Sequence, residues 1–113
     1  MSTLVEQQWD FLQDIAALIV FIDKCGLVAT GGELFRTPYQ QAEYIRTGRT
    51  KTSNSKHLKR LALDLNFFKD GELISDKGTL QPVGDYWESL NVKNAAGMNW
   101  DFYDPAHFER KAI

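Results

Sequence analysis

The run Leu61 to Phe68 (LALDLNFF) alternates. Leu61, Leu63, Leu65 and Phe67 fall on one face, and Ala62, Asp64, Asn66 and Phe68 on the other. A side-chain period of two belongs to a β-strand, so this segment demands a sheet with a leucine-rich face turned to a core. Lys69-Asp70-Gly71-Glu72 follows, an Asp-Gly turn of the kind that closes a two-residue hairpin, and Leu73-Ile74 begins the returning strand. Asp64 therefore stands on a strand, facing away from the leucines, beside the small Ala62.

The apolar face of such a sheet needs covering, and the rest of the chain supplies helices. Residues 4 to 25 carry Val5, Trp9, Leu12, Ile15, Ile19 and Ile22 at the recurrence of an amphipathic helix, which reads as a core piece. Thr3 with Glu6 offers a capping box, and Gly26 is placed to end the helix. Leu27 to Phe35, broken by Gly31 and Gly32, reads as an extended segment leading to Arg36. Thr37, Pro38 and Gln40 then stand in the order N-cap, first-turn proline and capping glutamine, with Gly48 as the stop. Thr50 to Ser55 is a polar loop, Pro82 to Leu90 a short helix, and Gly97 to Phe108 an irregular or extended finish rich in aromatics. With 113 residues, 43% of them hydrophobic, and no second block of composition, the chain is expected to form one domain over residues 1–113. The expected fold class is α+β, with helices packed on an antiparallel sheet.

Charge and cysteine content narrow the function classes. A formal net charge of -2 argues against a general nucleic-acid binder. The basic residues Arg46, Arg49, Lys51, Lys56, Lys59 and Arg60 nevertheless fall together, with no acidic residue between Glu43 and Asp64. They form either a solvated basic loop or a surface that concentrates an anionic substrate. The single cysteine, Cys25, cannot form an internal disulfide and is expected to be buried filler at a helix end. The N-terminus lacks a basic start, and the apolar run Ile15 to Ile22 is too short to span a bilayer. A soluble monomer made in the cytosol, without a signal peptide, is the expectation.

Only two histidines occur, His57 and His107, each in a polar, turn-like setting. A lone histidine is ordinarily a surface or satisfied core residue. Two histidines with a strand-borne aspartate suit zinc, whose catalytic sites take three nitrogen or oxygen ligands and leave a fourth position to water.

The run from Ser55 through His57 to Asp64 resembles the SxHxxGxAxD motif of the zinc metallopeptidases that include D-alanyl-D-alanine carboxypeptidases, D-Ala-D-Ala dipeptidases and bacteriophage L-alanyl-D-glutamate endolysins, which share a hedgehog-like zinc fold. Asp104-Pro105-Ala106-His107 resembles the second motif of that family, and Arg36-Thr37 with Gln41 its "RT…Q" segment. The resemblance covers roughly Gly32 to Arg110. It implies that His57, Asp64 and His107 bind Zn2+, that Asp104 is the general base, and that Arg36 binds a substrate carboxylate or the developing oxyanion. Arg60 stands where the family motif has glycine, so the loop after His57 is expected not to use glycine-only backbone angles there. Met98 and Asn99 occupy the place of a Trp-Gly pair in many relatives, with Trp100 a candidate for that role from a shifted position.

Several further residues have two readings. Ser55 is a partner of a ligand or ordinary turn chemistry; Glu109 orients a metal-bound imidazole or is solvated. Trp9, Trp87 and Trp100 read as core before substrate platform, and Asp101 ranks behind Asp104 as base. The function implied is a peptidoglycan peptidase of the phage-endolysin type that cuts the L-Ala to D-Glu link of the stem peptide, acting on the wall after release from the host cytoplasm. A D-Ala-D-Ala carboxypeptidase or dipeptidase is the alternative enzyme, and a zinc-stabilised binding protein without turnover the alternative from another class.

Overall fold

A computed structural model describes residues 3–49 and 55–111. Lys51 and most of the expected Thr50 to Ser55 loop lie outside the described residues. The elements run α1 (Leu4–Lys24), β1 (Val28–Gly31), α2 (Pro38–Arg46), a 3-10 turn at Lys56–Lys59, β2 (Ala62–Lys69), β3 (Glu72–Ile74), α3 (Lys77–Leu90), β4 (Asn94–Ala96), a second 3-10 turn at Gly97–Asn99 and β5 (His107–Arg110). The strands form one antiparallel sheet in the order β1-β2-β5-β4, with β3 on the same strand β2. The α+β expectation holds.

Local chemistry explains the element ends. Thr3 Oγ1 accepts the Glu6 N–H (3.1 Å) at the start of α1. At its end Gly26 takes φ +75°, which lets its N–H reach the Asp23 carbonyl (3.0 Å) and that of Leu27 reach Ile22 (3.2 Å). The same left-handed closure recurs after α2 at Gly48, φ +78°. Thr37 Oγ1 caps Gln40 (3.0 Å) ahead of Pro38. The β2–β3 hairpin turns through Asp70 and Gly71, both with positive φ, as a right-twisted two-residue turn requires.

Four expectations need correction. First, α1 buries Phe11, Ile15, Leu18 and Ile22. Of the stripe read from the sequence only Ile15 and Ile22 are inside, while Val5, Trp9, Leu12 and Ile19 are exposed. Both faces of α1 are apolar, so periodicity alone could not choose between them. Second, α3 begins at Lys77 rather than Pro82, because Asp76 Oδ2 caps Thr79 (3.0 Å) one turn earlier. Pro82 lies inside the helix, and the bond it cannot make would have gone to exposed Gly78. Third, Cys25 is exposed, because it caps the end of α1 beyond the last buried turn. His107, expected in a turn, opens β5 instead.

The core lies between α1, α3 and the sheet, centred on Trp87. Its ring meets Phe11 edge-on at 5.5 Å and Phe108 at 6.1 Å. The Trp87 Nε1 donates to the carbonyls of Ala95 and Glu109, both at 3.2 Å, and so ties α3 to β4 and β5. Behind it Arg110 is buried. Its Nε donates to Asn94 Oδ1 (2.8 Å) and its other nitrogens to Asp10 Oδ2 (2.5 Å) and Asp14 Oδ2. Asn94 in turn donates to the Trp87 carbonyl (3.0 Å) and to Asp14 (3.2 Å). One guanidinium thus joins β5, β4 and α1. Among the described residues no helix is long and apolar enough to cross a membrane.

This network makes a prediction. Arg110→Met should lower stability by about 3 kcal/mol, because Asp14 and Asn94 lose a buried partner. Asp10→Asn should cost under about 1 kcal/mol, because Asp10 keeps most of its contact with water. Urea unfolding midpoints of the two variants check both.

Candidate metal centre

Two of the candidate ligands come from the register of adjacent strands. Asp64 of β2 and His107 of β5 are directly paired across the ladder, and Ala62 pairs with Glu109. Side chains two residues apart share a sheet face, so Asp64, His107 and Glu109 project together, with small Ala62 leaving room. The third arrives on the 3-10 turn. Ser55 Oγ accepts the His57 N–H (3.2 Å), and the His57 carbonyl accepts the Arg36 N–H (3.0 Å). Segment 32–36 is stitched to the same place, with Gly32 N–H on the Asp64 carbonyl (2.7 Å) and Asp64 N–H on the Glu33 carbonyl (3.0 Å).

One nitrogen of His57, one of His107 and a carboxylate oxygen of Asp64 lie within 4.8 Å of one another. Asp64 Oδ1 is 3.4 Å from His57 Nε2 and 3.4 Å from His107 Nδ1. A tetrahedron with bonds near 2.1 Å has an edge of about 3.4 Å, so these spacings suit a small divalent cation. The imidazoles are also aimed. His57 Nδ1 is 3.1 Å from the Leu34 carbonyl, which fixes its proton there; its Nε2 is buried and has no hydrogen-bond partner among the described residues. His107 Nε2 is held by Glu109 Oε1 (2.8 Å), which leaves Nδ1 for the centre. A buried nitrogen without a partner costs free energy unless something accepts its lone pair. A metal ion fits that need.

Electrostatics reinforce the grouping. Burial raises the Asp64 carboxyl, but the pull of His107 and His57 outweighs it and holds the group far below the usual range. For His107, burial works against the charge, yet the carboxylates of Asp64 and Glu109 push its pKa up to about 9. Asp104 moves the other way. Burial pushes it above the ordinary value, with Asp64 adding to the effect and His107, His57 and Arg36 opposing it. The Asp104 carbonyl accepts the His107 N–H (3.2 Å), so Asp104 adjoins this group. Asp101, the second choice for base, is exposed.

Arg36 is anchored beside this group. Its Nε donates to Glu33 Oε1 (2.5 Å), and its Nη1 to Gln41 Oε1 (2.8 Å) and Ser55 Oγ (3.2 Å). The guanidinium lies 4.6 Å over the Tyr44 ring. Ser55 thus touches Arg36 and the His57 backbone, and Glu109 touches the His107 ring. Glu33, missed in the sequence, also binds the Tyr44 hydroxyl (3.1 Å) and sits 3.9 Å from His57 Nδ1. A single glutamate after two glycines carries no signal of that role.

The glycine position of the first motif yields a correction. Arg60 closes the turn after His57 at φ +54°, the left-handed region, so the arginine takes the backbone angles that glycine favours. This costs about 1 kcal/mol, and the Arg60 guanidinium stacks 4.1 Å over Phe35 in partial compensation. Met98 is buried against Gly84 of α3, and Asn99 bonds Gln81 and Glu88. Trp100 is the aromatic beside the centre, 4.9 Å from the His107 ring, while Trp9 is exposed and Trp87 is core.

The model of a family described as D-alanyl-D-alanine carboxypeptidase matches residues 48–110, more than half of the chain. The chain belongs to this family. His57, Asp64, Asp104 and His107 fall inside the matched segment, and Arg36 lies outside it. The family makes the chain a peptidoglycan-acting metallopeptidase. No curated protein matches it. The crystal structure of the Serratia marcescens L-Ala D-Glu endopeptidase ChiX shares its fold. The TM-score is 0.74 at 18% identity, over 90% of this chain and 78% of that one.

Gly97 offers a test of how the centre is held. A methyl there would run into the Asp104 carbonyl and lie 3.0 Å from Asp104 Cβ and 3.1 Å from His107 Cβ, whereas one at Gly31 meets nothing within 4 Å. Gly97→Ala should therefore weaken divalent-metal affinity by about 10- to 100-fold by displacing the 104–107 segment. Gly31→Ala should leave it unchanged. Calorimetric metal titration of both variants checks this.

Proposed function

We infer that the chain is a zinc-dependent peptidase of the peptidoglycan stem peptide, of the phage-endolysin type, which cuts between L-Ala and D-Glu. The observation that carries the reading is the convergence of His57 Nε2, without a hydrogen-bond partner among the described residues, with His107 Nδ1 and the Asp64 carboxylate, and with Asp104 bonded through its carbonyl to the His107 N–H. Nitrogen and carboxylate donors in a set of three suit zinc. Zinc, when bound, supplies a Lewis acid that brings the pKa of water down towards about 7.

The chain's own residues do the rest. Asp104, half-buried and raised in pKa, takes the proton of the attacking water and delivers it to the leaving amine. Arg36, held in a fixed orientation by Glu33, Gln41 and Ser55, presents positive charge to the oxyanion or to a substrate carboxylate. Glu109 keeps the His107 ring from turning. Basic residues from Arg46 to Arg60 flank His57 in sequence and favour a stem peptide rich in carboxylates. The endopeptidase fold-mate supports the L-Ala to D-Glu bond, and the family description supports the D-Ala end as the second reading. Action on the wall follows release from the host cytoplasm.

Digestion of purified muropeptides, followed by mass analysis, should release peptides that begin with D-Glu. Free D-alanine or D-Ala-D-Ala with the L-Ala to D-Glu link intact would promote the second reading, and no product at all would favour a binding protein. Chelation should abolish the activity, and His57→Ala should reduce zinc from about one per chain to none. Asp104→Asn should keep the zinc and lose about 10²- to 10⁴-fold in rate. If Asp101→Asn is inactive while Asp104→Asn works, the base has been assigned to the wrong aspartate.

A further inference from the structure

Four of the six apolar residues of α1 that read as core in the sequence face outward in the fold. Val5, Trp9, Leu12 and Ile19 are 72, 61, 47 and 52% exposed, and Ala16 and Val20 lie on the same side. Their spacing at 5, 9, 12, 16 and 19 runs four-three-four-three, the 3.5-residue repeat of a helix that packs along another helix. The buried stripe Phe11, Ile15, Leu18 and Ile22 already serves the core. At these exposures the outer side chains leave about 500 Å² of apolar surface, near the top of what monomers show.

We propose that this face is covered by a second copy of the chain, with α1 lying antiparallel on α1 about a two-fold axis near Leu12. The stripe is complementary to itself in that arrangement. Leu12 meets Leu12, bulky Trp9 lies on small Ala16, and Val5 packs against Ile19 and Val20, so large side chains fall on small ones. Two such faces bury about 1,000 Å², the size at which a specific interface begins. The stripe is bordered by Gln8 and Gln13, and α1 carries Glu6, Asp10, Asp14 and Asp23 against a single Lys24. Helices that lie on anionic bilayers carry basic borders, so the charge favours protein over membrane. The dimer departs from the monomer expected from the sequence, where Val5, Trp9, Leu12 and Ile19 read as core.

Sedimentation equilibrium of the purified chain should show a monomer–dimer equilibrium with Kd on the order of micromolar. Leu12→Glu, which sets two carboxylates together on the axis, and Ala16→Trp, which fills the seat of Trp9, should each weaken it by at least about 100-fold. Both positions are exposed, and circular dichroism should show both variants folded. In a Cys25→Ser background, Leu12→Cys should oxidise to a covalent dimer. A monomer at every concentration would overturn the proposal, as would a dimer indifferent to both substitutions. A monomer that partitions through Trp9 onto phosphatidylcholine vesicles would overturn it in favour of a lipid surface.

Discussion

The pairing of Asp64 with His107 across β2 and β5 is the constraint on which the centre depends. A strand has two faces and a period of two, so a slip of one residue would turn His107 into the core and buried Phe108 out to solvent. The burial of Phe108 against Trp87 and Phe67 therefore fixes the register that brings Asp64 and His107 together. The same period puts Glu109 behind the His107 ring. Packing on one side of the sheet sets chemistry on the other.

His57 does not come from the ladder, because Asp64 is flanked by β5 on one side and by Gly32–Glu33 on the other. It is delivered on a 3-10 turn clamped by backbone bonds to Arg36, by Ser55 and by the Leu34 carbonyl. Gly32 makes this possible, since a side chain there would press on Asp64 (3.0 Å to its carbonyl oxygen and 3.2 Å to Cβ). The left-handed backbone at Arg60 is part of the same closure. Its cost, the buried nitrogen of His57 and the partial burial of Asp104 are all unfavourable to the folded chain. The core around Trp87 and the Arg110 network offset them, and a bound cation would give the His57 nitrogen a partner.

Much of this was legible in the sequence, for identifiable reasons. The alternation of Leu61 to Phe68 and the Asp-Gly turn gave β2 and the hairpin. Thr3, Gly26, Thr37 and Gly48 marked helix ends, since caps answer to local backbone geometry. The grouping of His57, Asp64 and His107 was what the resemblance of two motifs to the zinc peptidases implied. Short β4 and β5 were not legible, because their partners are distant and three or four residues carry little pattern. Nor was the start of α3, where Pro82 at a favoured first-turn residue type outweighed the quieter cap at Asp76.

What the sequence determined by itself is therefore local or compositional: strand and helix periods, capping residues, and the scarcity of histidine that singled out two of the ligands. Tertiary structure alone decided which face of α1 is inside, since both stripes satisfy the helical period and only packing against Trp87 and the sheet selects Phe11 over Trp9. It alone decided that Glu33 would anchor Arg36 and that an arginine would hold a glycine's backbone angles at position 60. The reason is physical. A residue's own preferences act over a few neighbours, whereas burial, register and charge depend on segments that meet only when the chain has folded.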